Sequence, residues 1–339
     1  MICDDVAVFD AAEHALHPSD DHHFLALRCN NLTGWYGPVP HQLAERAARL
    51  AARLRGHRLT VETLPGLLTA LAPAGTDRAS RAALGVVDAA AWDLCGRAAG
   101  VPVADLLTDR PVRTISAYAS WLSLDAAEPR HHATVAALAA ENWAHTKWSL
   151  RADGHPDPGA LAARLATITA AAGTPVAVDA VGTWNQPVVE HLQAAPAPKS
   201  LVWLEDPLPA GHDPVDAGVP VALGEHATHP TGLLDLVRRH RPAVLTPDVL
   251  WLGGIEATRS ALHTLGPAAP PIWLHGRAFA PALHLAAAAP GLIRGVEYQH
   301  HWWPRRMALL AEPFPATPGQ LTVPDRPGLG LTPKGALTP

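Results

Sequence analysis

Three carboxylates give the first chemical signal in this 339-residue chain. Asp179, Glu205 and Glu225 lie in the stretches PVAVDA, LVWLEDP and PVALGE, each after an apolar run, at intervals of 26 and 20 residues. If the runs are neighbouring strands, the three side chains converge. Converging carboxylates repel one another unless a cation sits among them. An all-oxygen donor set selects a hard ion such as Mg²⁺. Any one of the three could equally be a surface carboxylate at the start of a loop; their shared position is what favours a metal site. Lys147, Asp248, His275 and Glu297 repeat the placement at the ends of other apolar runs. A carboxylate beside an imidazole stabilises its charged form and fixes its tautomer, so Asp248 and His275 are candidates for an oriented base.

The elements that must position these groups follow from the pattern. From about residue 113, short apolar runs alternate with Ala/Leu-rich helical stretches. The runs are TISAYAS, HTKWSL, PVAVDA, LVWLEDP, PVALGE, AVLTPDV, PIWLHG and RGVEYQ. Eight such units, about 20–30 residues apart, predict parallel strands joined by helical crossovers and closed into a (β/α) barrel. The carboxyl ends of barrel strands are where catalytic groups converge. The first third reads as a small α+β unit. FLALRC (24–29) is a predicted strand, broken by Gly34-Trp-Tyr-Gly37 and Pro38. Residues 41–55 have helical spacing. Residues 79–99 form a predicted helix, with Ser80 as its cap, Leu84, Val87, Ala91, Leu94 and Cys95 on one face, and Gly100-Val-Pro102 as its stop. The Pro/Gly-rich residues 311–339 are expected to pack back over the first unit. The predicted division is a capping domain (1–112), a barrel (113–310) and a C-terminal segment (311–339).

Composition bounds the function. Hydrophobic residues make up 48% and charged residues 17%, enough for a large core. The net charge of −5, with no basic run, argues against nucleic acid and against a polybasic membrane anchor. Cys3, Cys29 and Cys95 form no CxxC pair, so neither a structural zinc nor a disulfide framework is expected. The acidic start MICDDVAVFDAAEH lacks the features of a signal peptide, and no apolar run reaches membrane-spanning length; a cytoplasmic protein is the expectation.

Several stretches resemble the enolase superfamily, in its mandelate racemase/muconate lactonizing enzyme-like branch. They are Val87-Asp-Ala-Ala-Ala-Trp-Asp-Leu94 with Gly96-Arg-Ala-Ala-Gly-Val-Pro102, Trp203-Leu-Glu-Asp-Pro-Leu208, Leu223-Gly-Glu225, Pro247-Asp248 with Gly253-Gly-Ile255, and Asp325-Arg-Pro-Gly-Leu-Gly-Leu331. Their order and spacing match over nearly the whole chain. The resemblance implies an α/β fold: a modified TIM barrel, (β/α)₇β, with an α+β capping domain completed by the C-terminal segment. It implies Mg²⁺ on Asp179, Glu205 and Glu225, a base at His275 oriented by Asp248, and Glu297 as a neutral acid that hydrogen-bonds the substrate carboxylate. For Glu297 a salt-bridged glutamate is the equal alternative. A small-molecule carboxylate is the implied partner, and a homo-oligomer (dimer or octamer) the implied assembly.

The chain departs from the branch at four places. Lys-x-Lys becomes Lys147-Trp148-Ser149; Lys147 keeps a position that can neutralise a substrate carboxylate, while a serine hydroxyl is not a competent base unaided. Asp-x-Asn becomes Asp179-Ala-Val181. His226 follows Glu225 where an amide is common, which makes His226 and Ser149 candidates for substrate contact. Gly-Trp-Gly-Glu becomes Gly34-Trp-Tyr-Gly37. With one base, dehydration of a hydroxy acid or sugar acid is the leading expectation. A racemase or epimerase is the second, and a metal-keeping barrel that binds a metabolite without turnover the third. The tryptophans at 121, 148, 184, 302 and 303 are read as core, or as walls of a narrow pocket.

Overall fold

The eight apolar runs form eight parallel strands. A computed structural model describes all residues except 74, 76, 153, 155, 156, 195–197, 199, 213–216 and 337–339. The strands are β4 (Thr114–Trp121), β5 (Thr146–Ser149), β6 (Val176–Asp179), β7 (Leu201–Glu205), β8 (Val221–Leu223), β9 (Val244–Leu245), β10 (Ile272–Leu274) and β11 (Ile293–Gln299); they pair in chain order, and β11 pairs back onto β4. The barrel is closed. Its strands are short and buried on both faces, which is why they read as continuous apolar runs instead of alternating ones. Register sets the site: Ser149 lies opposite Asp179, and Asp179 opposite Glu205, so two of the three carboxylates stand at one height on adjacent strands.

The capping unit begins with a three-stranded antiparallel sheet of β1 (Asp5–Asp10), β2 (His23–Cys29) and β3 (Leu32–Val39). Here the sequence expectation needs correction. Gly34-Trp-Tyr-Gly37 and Pro38 do not break the sheet but make up most of β3. As an edge strand, β3 tolerates a proline that donates no hydrogen bond. Its glycines answer to packing: a Cβ on Gly34 would lie 2.3 Å from the Ala90 carbonyl oxygen, and one on Gly37 would lie 2.5 Å from that of His23. Helices α1 (His41–Ala51), α2 (Leu64–Leu71) and α3 (Arg78–Ala99) follow. The cap of α3 is Asp77, whose carboxylate accepts the Ser80 amide at 3.1 Å; Ser80 itself lies inside the helix. Gly100 ends it at φ +71°.

Helix α3 does more than present one apolar face. Every residue from Arg81 to Gly96 is buried, because the helix runs between β3 on one side and the barrel on the other. Its two aspartates hold both neighbours. Asp88 accepts the amides of Ile255 and Glu256 at 2.6 and 3.1 Å, capping the helix Ile255–Leu265. Asp93 accepts the Trp35 amide of β3 at 2.8 Å and the Leu329 amide of the C-terminal segment at 2.6 Å. That segment also adds a short strand, Gln320–Thr322, antiparallel to β4. Among the described residues no helix is long and apolar enough to cross a membrane.

Candidate active site

Each carboxylate at the carboxyl end of the barrel is set by a sharp change of backbone direction. Val181, two residues after Asp179, has φ +54°, Asp206 follows Glu205 at φ +40°, and Gly224 precedes Glu225 at φ +141°. Asp179, Glu205 and Glu225 meet: one oxygen from each lies within 4.8 Å of the others. The Val181 amide donates to Asp179 Oδ1 at 2.8 Å, and the Trp203 indole donates to Glu205 Oε2 at 2.9 Å. Burial, then the nearby carboxylates, raises the pKa of Asp179 and takes that of Glu205 up to about 7, even though Lys147 pulls both down. The buried Asp206 is pushed up for the same reasons. Such a cluster carries excess negative charge at its centre, and its all-oxygen donor set suits a hard divalent cation.

Lys147 is wholly buried. Its Nζ lies 2.8 Å from Glu205, 3.2 Å from Glu297 and 3.5 Å from Asp179. Burial alone would depress its pKa; Glu205 and Glu297, with Tyr118 and Asp179, outweigh that and hold it well above the ordinary lysine value. The ammonium is therefore fixed as a cation. His275 meets the cluster from the end of β10. Its Nδ1 donates to Asp248 Oδ2 at 2.9 Å, and its Nε2 lies 3.6 Å from Glu225 and 3.5 Å from Glu297. Asp248 is itself anchored, since its other oxygen accepts the Trp251 amide at the start of a short helix. Burial opposes charge on His275, but Glu225, Glu297 and Asp248 raise its pKa to about 9.

Glu297 lies between the Lys147 ammonium and the His275 imidazole. It accepts the Gly276 amide at 2.7 Å. Burial would raise its pKa, but these partners, Lys147 first, lower it to about 2.

The two weaker candidates border the cluster but have hydrogen-bond partners outside it. The Ser149 hydroxyl donates to the Leu122 carbonyl at 2.8 Å and lines a separate pocket with Arg151 and Arg164. His226 accepts from Arg78 at 2.7 Å through Nδ1, and its Nε2 lies 3.6 Å from Asp206; it lines a cavity of about 530 Å³ beside the cluster. Of the tryptophans proposed as pocket walls, 148, 184 and 303 are core, and 302 is exposed.

Sequence reasoning missed Trp251 and its cations. The Trp251 ring stacks on His275 at 6.3 Å, with the Arg78 guanidinium 4.0 Å and the Arg277 guanidinium 4.9 Å from its centre. It borders a cavity of about 720 Å³ between capping unit and barrel. Five arginines line this cavity (Arg46, Arg49, Arg78, Arg277 and Arg306) against two acids, Asp21 and Glu45. No local motif marks these arginines, which come from three distant parts of the chain.

Comparison with known proteins follows the same outline. Residues 131–337 match the family described as Enolase C-terminal domain-like. The D-galactarolactone cycloisomerase of Agrobacterium fabrum is 28% identical over 78% of this chain and 75% of that protein. The L-talarate/galactarate dehydratase of Salmonella typhimurium is 27% identical over 78% of this chain and 67% of that protein. The crystal structure of L-talarate dehydratase from Polaromonas sp. JS666, complexed with Mg and L-glucarate, is 26% identical; it superposes with a TM-score of 0.75 over 97% of this chain and 90% of that one. With the family match spanning well over half its length, this chain belongs to the enolase superfamily, in the mandelate racemase/muconate lactonizing enzyme-like branch.

Proposed function

We propose that the protein is a Mg²⁺-dependent enzyme that removes the proton α to a carboxylate and then expels a β-hydroxyl from a hydroxy acid or sugar acid. The carrying observation is the imidazole of His275, pinned by Asp248 at 2.9 Å and facing the carboxylate cluster. Asp179, Glu205 and Glu225 would hold the Mg²⁺, and the Mg-bound L-talarate dehydratase among the relatives supports that choice of ion. Bound there, Mg²⁺ would supply Lewis acidity toward the substrate carboxylate.

The chain's own residues do the rest. Lys147, kept charged by three carboxylates, offsets the charge of the substrate carboxylate and of the enediolate that develops from it. His275 takes the α-proton at Nε2 in its neutral form, which a cation on Glu225 would favour by offsetting the carboxylate that most raises the imidazole's pKa, while Asp248 holds Nδ1–H and stabilises the imidazolium. Glu297 fixes the positions of Lys147 and Gly276. The imidazolium then returns the proton to the departing β-hydroxyl on the same face. Two contacts favour elimination over racemisation: Lys147 is engaged by three carboxylates, and the Ser149 hydroxyl donates to the Leu122 carbonyl. The arginine-lined cavity beside Trp251 fits an extended anionic substrate.

His275→Asn tests the reading. It should abolish both solvent-deuterium exchange at the α-carbon and Mg²⁺-dependent keto-acid formation across a sugar-acid library. Exchange that persists removes His275 from the role; an inverted stereocentre without keto acid makes the enzyme an epimerase.

A further inference from the structure

We propose a second metal site, on the capping unit, formed by Asp10, His22 and His23 and suited to a borderline ion such as Zn²⁺. Asp10 closes β1 and His23 opens β2, and the two are cross-strand partners in the antiparallel pair. His22 directly precedes β2, and its carbonyl accepts the Ala11 amide at 3.0 Å. One ligand atom from each of the three residues lies within 4.8 Å of the other two. Two imidazoles and a carboxylate form a donor set unlike that of the barrel; it favours Zn²⁺ or a neighbouring transition metal over Mg²⁺.

The imidazoles are also disposed as ligands. His22 Nδ1 donates to the Asp20 carbonyl at 2.7 Å, which assigns the proton to that nitrogen and leaves Nε2 with its lone pair, 3.6 Å from Asp10 Oδ1. A backbone carbonyl on the far nitrogen is the usual device that orients a metal-binding histidine. Asp10 Oδ1 accepts the Ala12 amide at 2.8 Å, which fixes the carboxylate. The His23 ring lies 4.4 Å from that of His22 and 4.7 Å from that of His41, and no hydrogen bond among the described residues engages it. His41, beside His23, lines the cap–barrel cavity together with Asp21. An ion here would tie β1 to β2 across the segment that carries Asp21, a wall of that cavity.

Co²⁺ is the probe. With excess Mg²⁺ present, the full chain should bind one equivalent of Co²⁺ and show the visible bands of a four-coordinate centre. Replacing His22 and His23 together by Gln should remove those bands and weaken Co²⁺ by roughly tenfold or more. Asp10→Asn, which leaves both imidazoles in place, should weaken Co²⁺ while the metal-free melting temperature stays put. Glu225→Gln should leave the bands unchanged. Bands that survive the double replacement, bands lost with Glu225→Gln, or no Co²⁺ retained against Mg²⁺ would each overturn the site.

Discussion

Val181 stands two residues beyond a proposed metal ligand at φ +54°, in the left-handed region where a β-branched side chain is an outlier. That conformation costs about 1–2 kcal/mol for a residue with a Cβ, and Asn relieves part of the cost by bonding locally. The Val181 amide, not its side chain, serves the site, by donating to Asp179. Val181→Asn should therefore stabilise the fold by about 1 kcal/mol, read from urea midpoints at constant m-value; an unchanged or lower midpoint would show that the apolar contacts of Val181 outweigh its backbone strain. The same stretch shows what a sequence carries at this scale. Residues that end strands, such as Asp179, Glu205, Glu225, Asp248 and His275, announce themselves because the apolar run before each one gives it a position. The ionisation of Glu297 does not, since it depends on Lys147 and His275 arriving from other strands. Trp251, Arg78 and Arg277 carry no local signal; their meeting is a product of the capping unit packing on the barrel.

At the scale of elements, the eight barrel strands were legible because burial on both faces makes each of them a mostly apolar run. The edge strand β3 was not, because glycine and proline usually signal a turn; here Gly34 is small to let α3 approach, a demand made by a helix more than fifty residues away. The Asp88 and Asp93 pattern of α3 was legible as a resemblance, and its physical reason emerges only in three dimensions. Asp93 has no exposure, and it satisfies the amides of Trp35 and Leu329 and the guanidinium of Arg97, the last at 2.6 Å. Asp93→Ala would strand two buried amides and a guanidinium together, and should cost roughly 3 kcal/mol. Because the lost bonds join β3, α3 and the C-terminal segment, proteolysis should strike residues 311–336 first. A variant as stable and as protease-resistant as the parent would show that these elements hold together without the aspartate.

For the molecule as a whole, pH dependence of stability has a locatable source in His284. This residue is fully buried in the helix Phe279–Ala288, on the barrel, and its Nδ1 accepts the Ala104 amide of the helix Val103–Leu107 at 3.0 Å. Burial holds the imidazole neutral and takes its pKa down to about 4. The unfolded chain protonates the same residue near its ordinary value of about 6.5. Between those two values the unfolded state binds a proton that the folded state refuses, so stability is present above pH 6.5 and is lost as the pH falls toward 4. His284 should account for about 2 kcal/mol of lost stability between pH 7 and pH 5. The buried carboxylates titrate with their own signs, so the effect must be read as a difference. His284→Gln keeps an acceptor for Ala104 but does not titrate. Its stability deficit relative to the parent, measured by urea unfolding, should shrink by about 2 kcal/mol on going from pH 7 to pH 5. A deficit that is the same at both values would mean that the folded protein admits the proton, and that the contact between the two helices yields before the global fold does.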